Sequence, residues 1–382
     1  MWTTPPGWRE ALSGDIGMGA SAAVWLGGAV TVDELEILAG SVTSELSGDQ
    51  VQTSVSLTAG DPEGDLFTGW SGDRLGTLGH RIRLASIVSA GDWLVTVPVG
   101  TLRVNTVDIA SSSPWRLYMP DHPEATPETH GRWVRGAQVL SVSCGDLLDQ
   151  VADEDFLAPT SPPSGSTIGS EIQRLAAGIV SVGDSVLALD GSVPSSITYD
   201  DQDRLGSLVA LFRAAGQVLA LDRDAVLQAI PSTGSGSVWD VPMDALIRAL
   251  PSADRSELRN GWVVASESEE REPLRGQALE EEGPLIWGGP FGRVPAFAHS
   301  PILTSNSQCN SAARTNRDAA QASRRMVLDI ECGTDPAVDV LDTARIALPL
   351  GAVDGLILRI NRPLFGRTMT VSVSVDWEAF RV

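Results

Sequence analysis

Apolar and polar positions alternate through the first third of the chain, the pattern of strands with one face in a core and one in solvent. Val51, Thr53, Val55 and Leu57 interleave with Gln52, Ser54, Ser56 and Thr58. Strands at 22–26 and 29–32 flank Gly27-Gly28, two residues that tolerate the positive φ of a tight hairpin turn. Further strands are predicted at 80–88, 93–98, 101–109 and 133–142. Short strands at this spacing predict a β-barrel or sandwich over residues 21–143, after an N-terminal segment at 1–20.

The pattern changes beyond Cys144. Residues 158–167 are rich in proline and small polar residues and read as a loop. Ile168, Ile172, Leu175, Ala176 and Ile179 then recur at helical spacing, as do Leu205, Leu208, Val209, Leu211 and Phe212. Gly216 is the expected stop of the second helix, and 218–221 and 225–230 form a hairpin through Asp222-Arg-Asp224. This gives an α+β middle module over 144–257. The remainder, 258–382, opens on a strand at 260–265 and passes an acidic stretch and a Gly/Pro-rich one. A helix is predicted at 307–325, followed by strands at 326–331, 343–347, 356–361 and 367–377. A second small barrel is the economical reading, so the predicted fold is mainly β with an α+β middle module between two small β-barrels.

Charge narrows the functions. The 382 residues include 49 acidic and 27 basic ones, a net charge of −22, which repels phosphate backbones and predicts no specific nucleic-acid binding. Every basic residue is arginine. Cys144, Cys309 and Cys332 are far apart and odd in number, with no metal-binding or disulfide spacing. The N-terminus lacks the basic start and apolar core of a secretion leader, and no stretch is long enough to span a membrane. A soluble protein without a membrane anchor is expected.

Four groups of residues could carry chemistry. Val182-Gly-Asp-Ser-Val186 resembles a strand-to-helix turn presenting a nucleophilic Ser185, but the sole later histidine is His299, without an aspartate at the spacing such hydrolases use. Asp121-His-Pro-Glu124 and Glu128-Thr-His130 could hold a cation, yet match no standard zinc spacing and read better as a solvated loop. Glu267-Ser-Glu-Glu-Arg-Glu272 and Glu280-Glu-Glu282 offer carboxylates for a glycosidase pair in charged runs that would not raise a pKa. The eleven tryptophans are dispersed, as core and interface anchors are, instead of clustered as in a sugar site. The expectation is no catalytic, cofactor or metal site, and no enzyme. A cell-wall-degrading enzyme and a receptor-binding module are the alternatives; a compact His/Asp/Glu constellation would mark the first.

The serial order of motifs resembles a known family. Gly40-Ser-Val-Thr43, the strand ending at Thr58, Asp61-Pro-Glu-Gly-Asp-Leu66, Leu78-Gly-His-Arg-Ile-Arg-Leu84 and Val97-Pro-Val-Gly-Thr-Leu-Arg-Val104 resemble the first barrel of actinobacteriophage minor tail proteins. Those are similar to the hub proteins of phage baseplates and tail tips. The likeness continues through Gly145-Asp-Leu-Leu148, Asp203-Arg-Leu-Gly-Ser-Leu-Val209, Asn260-Gly-Trp-Val-Val264, Gly292-Arg-Val-Pro295 and Ser300-Pro-Ile-Leu-Thr304. It departs at Asp335-Pro-Ala-Val-Asp-Val-Leu-Asp342, where a Gly-Asp turn is expected. The resemblance implies a structural virion protein at the distal tail tip, assembled in the host cytoplasm. It further implies a ring, a homotrimer, that closes the tail tube and contacts the distal tail protein, the tape-measure protein and other minor tail proteins.

Overall fold

The computed structural model describes residues 4–12, 14–69, 72–112, 116–118, 132–134, 136–199, 203–252, 258–268, 271–283, 285–299, 305–322, 325–349 and 351–376. The elements begin with α1 (Trp8–Leu12), β1 (Gly17–Leu26), β2 (Ala29–Val32), β3 (Ile37–Ser47), β4 (Gln50–Asp61), β5 (Arg81–Ala90), β6 (Trp93–Ser112), β7 (Arg116–Tyr118), β8 (Arg132–Val134) and β9 (Gln138–Gly145). There follow α2 (Leu147–Asp153), α3 (Ile168–Ala176), β10 (Ser181–Val182), α4 (Asp184–Leu187), α5 (Arg204–Ala214), β11 (Gln217–Leu221) and β12 (Val226–Pro231). The last are β13 (Val238–Val241), β14 (Leu246–Ser252), β15 (Gly261–Ser268), β16 (Arg271–Leu279), β17 (Pro295–His299), α6 (Asn306–Ala322), β18 (Arg325–Gly333), β19 (Thr343–Leu348), β20 (Gly351–Pro363) and β21 (Thr368–Asp376).

The chain divides into two compact units, Met1–Ala249 with Asp329–Val373, and Leu250–Leu328 with Ser374–Val382. In the first unit, β2, β1, β5, β6, β9, β4 and β3 lie side by side in that order. Gly27 and Gly28 take φ of +58° and +86°, the turn that lets β1 and β2 pair directly at Leu26↔Ala29. Inward residues of these seven strands, among them Val24, Val42, Leu57, Ile82, Leu102 and Leu140, form one core. The two strands expected at 93–98 and 101–109 are one strand, β6. The ladder passes from Leu84↔Gly100 to Ala85↔Pro98, so Val99 is an unpaired bulge residue and the proline bends the strand without ending it. The strand expected at 133–142 is two: β8, and β9 beginning at Gln138.

The middle helices pack on the β11–β12 hairpin as the spacing predicted. Thr167 and Ser170 form a capping box on α3, and Asp203 caps α5 by accepting from the Gly206 N–H at 2.9 Å. Gly216 follows α5 at φ +68°, the left-handed position that ends it. Asp222 accepts the N–H groups of Asp224 (3.0 Å) and Val226 (2.9 Å) and so shapes the hairpin turn. Ile172, Leu175, Leu208, Phe212, Leu219 and Leu227 are the interior of this part.

A second group of strands belongs to the same sheet, in the order β14, β18, β21, β20, with β19 on the first half of β20 and β13 on β19. The second half of β20 pairs with β3, from Arg359↔Glu45 to Pro363↔Ser41, and joins the two groups. No closed barrel is traced among the described strands; the fold is mainly β.

In the second unit β16, β15 and β17 make a three-stranded sheet, β17 running parallel to β15, with α6 against it. Of the acidic stretch, Glu267 lies near the end of β15 and Glu272 at the start of β16. Gly276 on β16 is required by the helix: a Cβ there would collide with the backbone of Cys309 and Asn310.

Candidate functional site

Ser185 does lie on a strand–turn–helix path, as the second residue of α4 after β10. Its hydroxyl, however, is occupied by structure. The Oγ–H donates to Gln228 Oε1 at 2.7 Å, and the Oγ accepts the Ala229 N–H at 3.1 Å. Gln228 Nε2 in turn donates to Asp222 Oδ2 at 2.8 Å. An amide cannot take the proton that a nucleophilic serine must release, so this chain of bonds pins α4 to β12 and activates nothing. Ser185→Ala is expected to cost about 1–2 kcal/mol of stability, the loss of one hydrogen-bonded pair with its partners left in place. A urea titration of the variant against the parent chain checks it; an unchanged midpoint would contradict the latch.

The side chain of His299 and the whole loop carrying Asp121, His122, Glu124, Glu128 and His130 lie outside the described residues, as do Glu269, Glu270 and the side chains of Glu267 and Glu272. The motif Ser300-Pro-Ile-Leu-Thr304 and Trp377 do as well. Glu280 and Glu281 line a cleft of about 440 Å³ with Arg314, Arg317, Ile286 and Trp287. Among the described residues no group of three or more His, Cys, Asp or Glu side chains could hold a metal ion.

The tryptophans act as anchors where they are described. Trp8 and Trp93 pack with ring centroids 5.7 Å apart, Arg83 stacks over Trp25 at 4.4 Å, and Trp287 lies against Gly261, where a Cβ would collide with its ring. All three cysteines are buried, and burial pushes the Cys144 and Cys332 thiols up to about 12, away from nucleophilic use.

The densest polar construction is one that sequence reasoning marked only as a departure, the segment 334–342. Asp335 accepts the indole N–H of Trp8 at 3.1 Å and the Ala337 N–H at 2.9 Å. Arg362, buried on β20, donates to the carbonyls of Pro336 (2.8 Å) and Val338 (3.1 Å). Arg223, from the β11–β12 turn, donates to Asp339 Oδ1 (2.7 Å), to the Ala337 carbonyl (3.1 Å) and to Pro98 of β6 (3.0 Å). Asp342 accepts from the Ser235 hydroxyl (2.6 Å) and the Asp339 N–H (2.9 Å). One loop thus ties α1, β6, the middle hairpin and β20 together. Three aspartates and two arginines in a buried to half-buried place are tolerable because each charge has a partner.

Burial dominates the titration here. Desolvation raises Asp335, lifts Asp342 to about 6 and lowers Arg362 to about 10, against the Asp339 and Asp335 charges that favour its ionised form. Asp146, which caps α2 by accepting from Leu148 N and also accepts Thr53 N, is likewise raised to about 6 by burial. A carboxyl raised in the fold stabilises it below its unfolded value, and that contribution is lost as pH climbs through the folded value. The window for Asp146 and Asp342 therefore runs from about pH 4 to about pH 6. Shifts of this size correspond to about 3 kcal/mol each at full titration. Stability measured across that window should fall with rising pH, and Asp342→Asn should flatten the slope; an equal slope in the variant would contradict the assignment.

No family of known proteins matches the chain, and no curated protein is similar to it. Solved structures are. The tail protein from Neisseria meningitidis MC58 superposes with a TM-score of 0.56 at 12% identity, over 94% of this chain and 97% of that one. The 43 kDa tail protein of prophage MuSo2 from Shewanella oneidensis gives 0.55 at 11%, over 94% and 100%. A chain of the Francisella PdpA–VgrG complex gives 0.51 at 7%, over 94% of this chain and 53% of that one. At such identities the likeness is one of fold, and it runs the length of the molecule: the chain has the fold of these tail proteins.

Proposed function

We propose that this chain is a structural component of a phage tail, the hub at the distal end of the tube. The observation that carries the proposal is the joining of two strand groups in one sheet by β20, in a chain whose fold matches tail proteins end to end. Each group stands for one small barrel, the first over 21–143 and the second within 258–382 with β13 and β14 added, and the module at 144–257 lies between them in sequence. β13 and β14 end the second strand order on opposite sides yet follow one another in the chain, which favours a group that curls toward closure.

A tube built of six-fold rings can be met by a trimer if each subunit offers two similar domains. The homotrimer closes the tube, seats the tape-measure protein in its lumen and carries the distal tail protein and other minor tail proteins. A charge of −22 suits a channel wall past which DNA must move without sticking. The work is mechanical; the one hydroxyl at a strand–turn–helix position is engaged by an amide. Gold-labelled antibody on intact tails tests the location: label at the distal tip is expected, and label along the tube or at the capsid would overturn the proposal.

A further inference from the structure

In the first unit a trough of about 660 Å³ crosses β1, β5 and β6, a size within the range of clefts that take a ligand. Ser21 and Ala23 alternate with the buried Ala22 and Val24, so they face outward, and with Ala85 of β5 and Thr101 of β6 they make a floor of small side chains. Gly100 lines it too. Its φ is not left-handed, and a Cβ there would meet no atom within 4 Å. Neither the backbone nor a neighbour in the described chain requires glycine at that place, and a side chain would stand in the trough. Asp33 and Glu34 border it beside β1, where the Leu35 N–H donates to the Ala22 carbonyl at 2.9 Å. Asp224 borders it on the other side, on the turn that Arg223 pins over β6 by donating to the Pro98 carbonyl at 3.0 Å.

The charges around the trough are exposed and unmatched. Among the described residues, the carboxylates of Asp33, Glu34 and Asp224 and the guanidinium of Arg83 take part in no hydrogen bond or ion pair. Arg83 lies over the Trp25 ring, 4.4 Å from its centroid, instead of closing on a carboxylate. Other exposed arginines behave differently: Arg74, Arg213, Arg345, Arg359 and Arg367 each meet a carboxylate of this chain. The order across the sheet is acidic beside β1, basic on β5 and acidic above β6. Neighbouring strands are about 4.8 Å apart, so the trough spans roughly 10 Å between β1 and β6, and the carboxylates stand at its two ends. Side chains on one face of an extended segment recur every ~6.7 Å, so positions i and i+4 span about 13 Å with i+2 between them.

We propose that this trough is a docking site for an extended segment of another protein that carries basic, acidic and basic side chains at i, i+2 and i+4. Opposite charges in register fix the orientation of such a segment and exclude wrong partners. A second copy of this chain is the poorer fit, because its exposed arginines named above are already paired. The inference is independent of the tail assignment. The test is fluorescence anisotropy at low salt with two labelled peptides of one composition, Ser-Arg-Ser-Glu-Ser-Arg-Ser and Ser-Arg-Arg-Ser-Ser-Glu-Ser. The first should bind at least tenfold more tightly than the second. Asp224→Arg and Gly100→Leu should each weaken it at least tenfold while the thermal midpoint stays in place. No binding of the first peptide, equal binding of the two, or binding indifferent to Asp224→Arg would overturn the proposal. If Gly100→Leu unfolds, the exposed Asp224→Arg variant decides alone. A dimer in sedimentation that Asp224→Arg abolishes would assign the trough to a second copy and overturn the proposal as well.

Discussion

Arg362→Met is expected to lower the free energy of unfolding by about 3–5 kcal/mol, the range for removing one partner of a buried ionic cluster. Methionine keeps much of the volume, so the loss is not one of packing. It arises because the carbonyls of Pro336 and Val338 lose their donor, and because the desolvated Asp335 loses a nearby positive charge. The matched control is Arg345→Met. That arginine is half exposed and pairs with an equally exposed Asp354 at 2.9 Å, a surface pair whose removal should leave the denaturation midpoint nearly in place. Equal effects of the two substitutions would mean that the 334–342 junction is not what holds the strand groups to the middle module.

Phe212→Ala should cost about as much by a different route, about 3–5 kcal/mol, because a fully buried ring leaves a cavity that its neighbours cannot fill. Phe212 and Leu208 sit on the inward side of α5 among Ile172, Leu175, Leu219 and Leu227. Val209 on the same helix is partly exposed, and Val209→Ala should cost well under half as much. Guanidinium titrations followed by tryptophan fluorescence compare the two. A Phe212→Ala variant as stable as the parent would contradict the single packed interior assigned to the middle helices.

What the sequence disclosed was local. Alternation at 51–58 identified β4 and its buried face, and the paired glycines placed the β1–β2 turn, because side-chain period and turn conformation are properties of neighbouring residues. The strands around β4 were less visible. β3 carries Gly40, Ser41, Thr43 and Ser44 and reads as polar, yet Gly40 is where Leu57 and Leu364 press closest, each 2.9 Å from where a Cβ would sit. β16 and β17 were hidden by Gly and Pro, residues that usually end strands and here shape an edge. The pairing of β20 with β3 and of β4 with β9 is remote in sequence, and a hydrophobic pattern says that a face is buried without saying against what.

The same limit applies to chemistry. Ser185 was found as a motif, but its partner, Gln228, lies 43 residues on and carries no motif of its own. The 334–342 junction appeared as a run of aspartates. Its counter-charges, Arg223 and Arg362, stand 116 residues before Asp339 and on the far strand β20, and only folding brings them together.

The proposed hub is a ring in which each chain supplies two barrels. Stoichiometry in intact tails, from quantitative mass spectrometry against the tube protein together with the rotational symmetry of the tip, tests it most directly. Three copies at the distal end are predicted. Six would mean that a barrel does not stand for one tube subunit, and a single copy would exclude the ring.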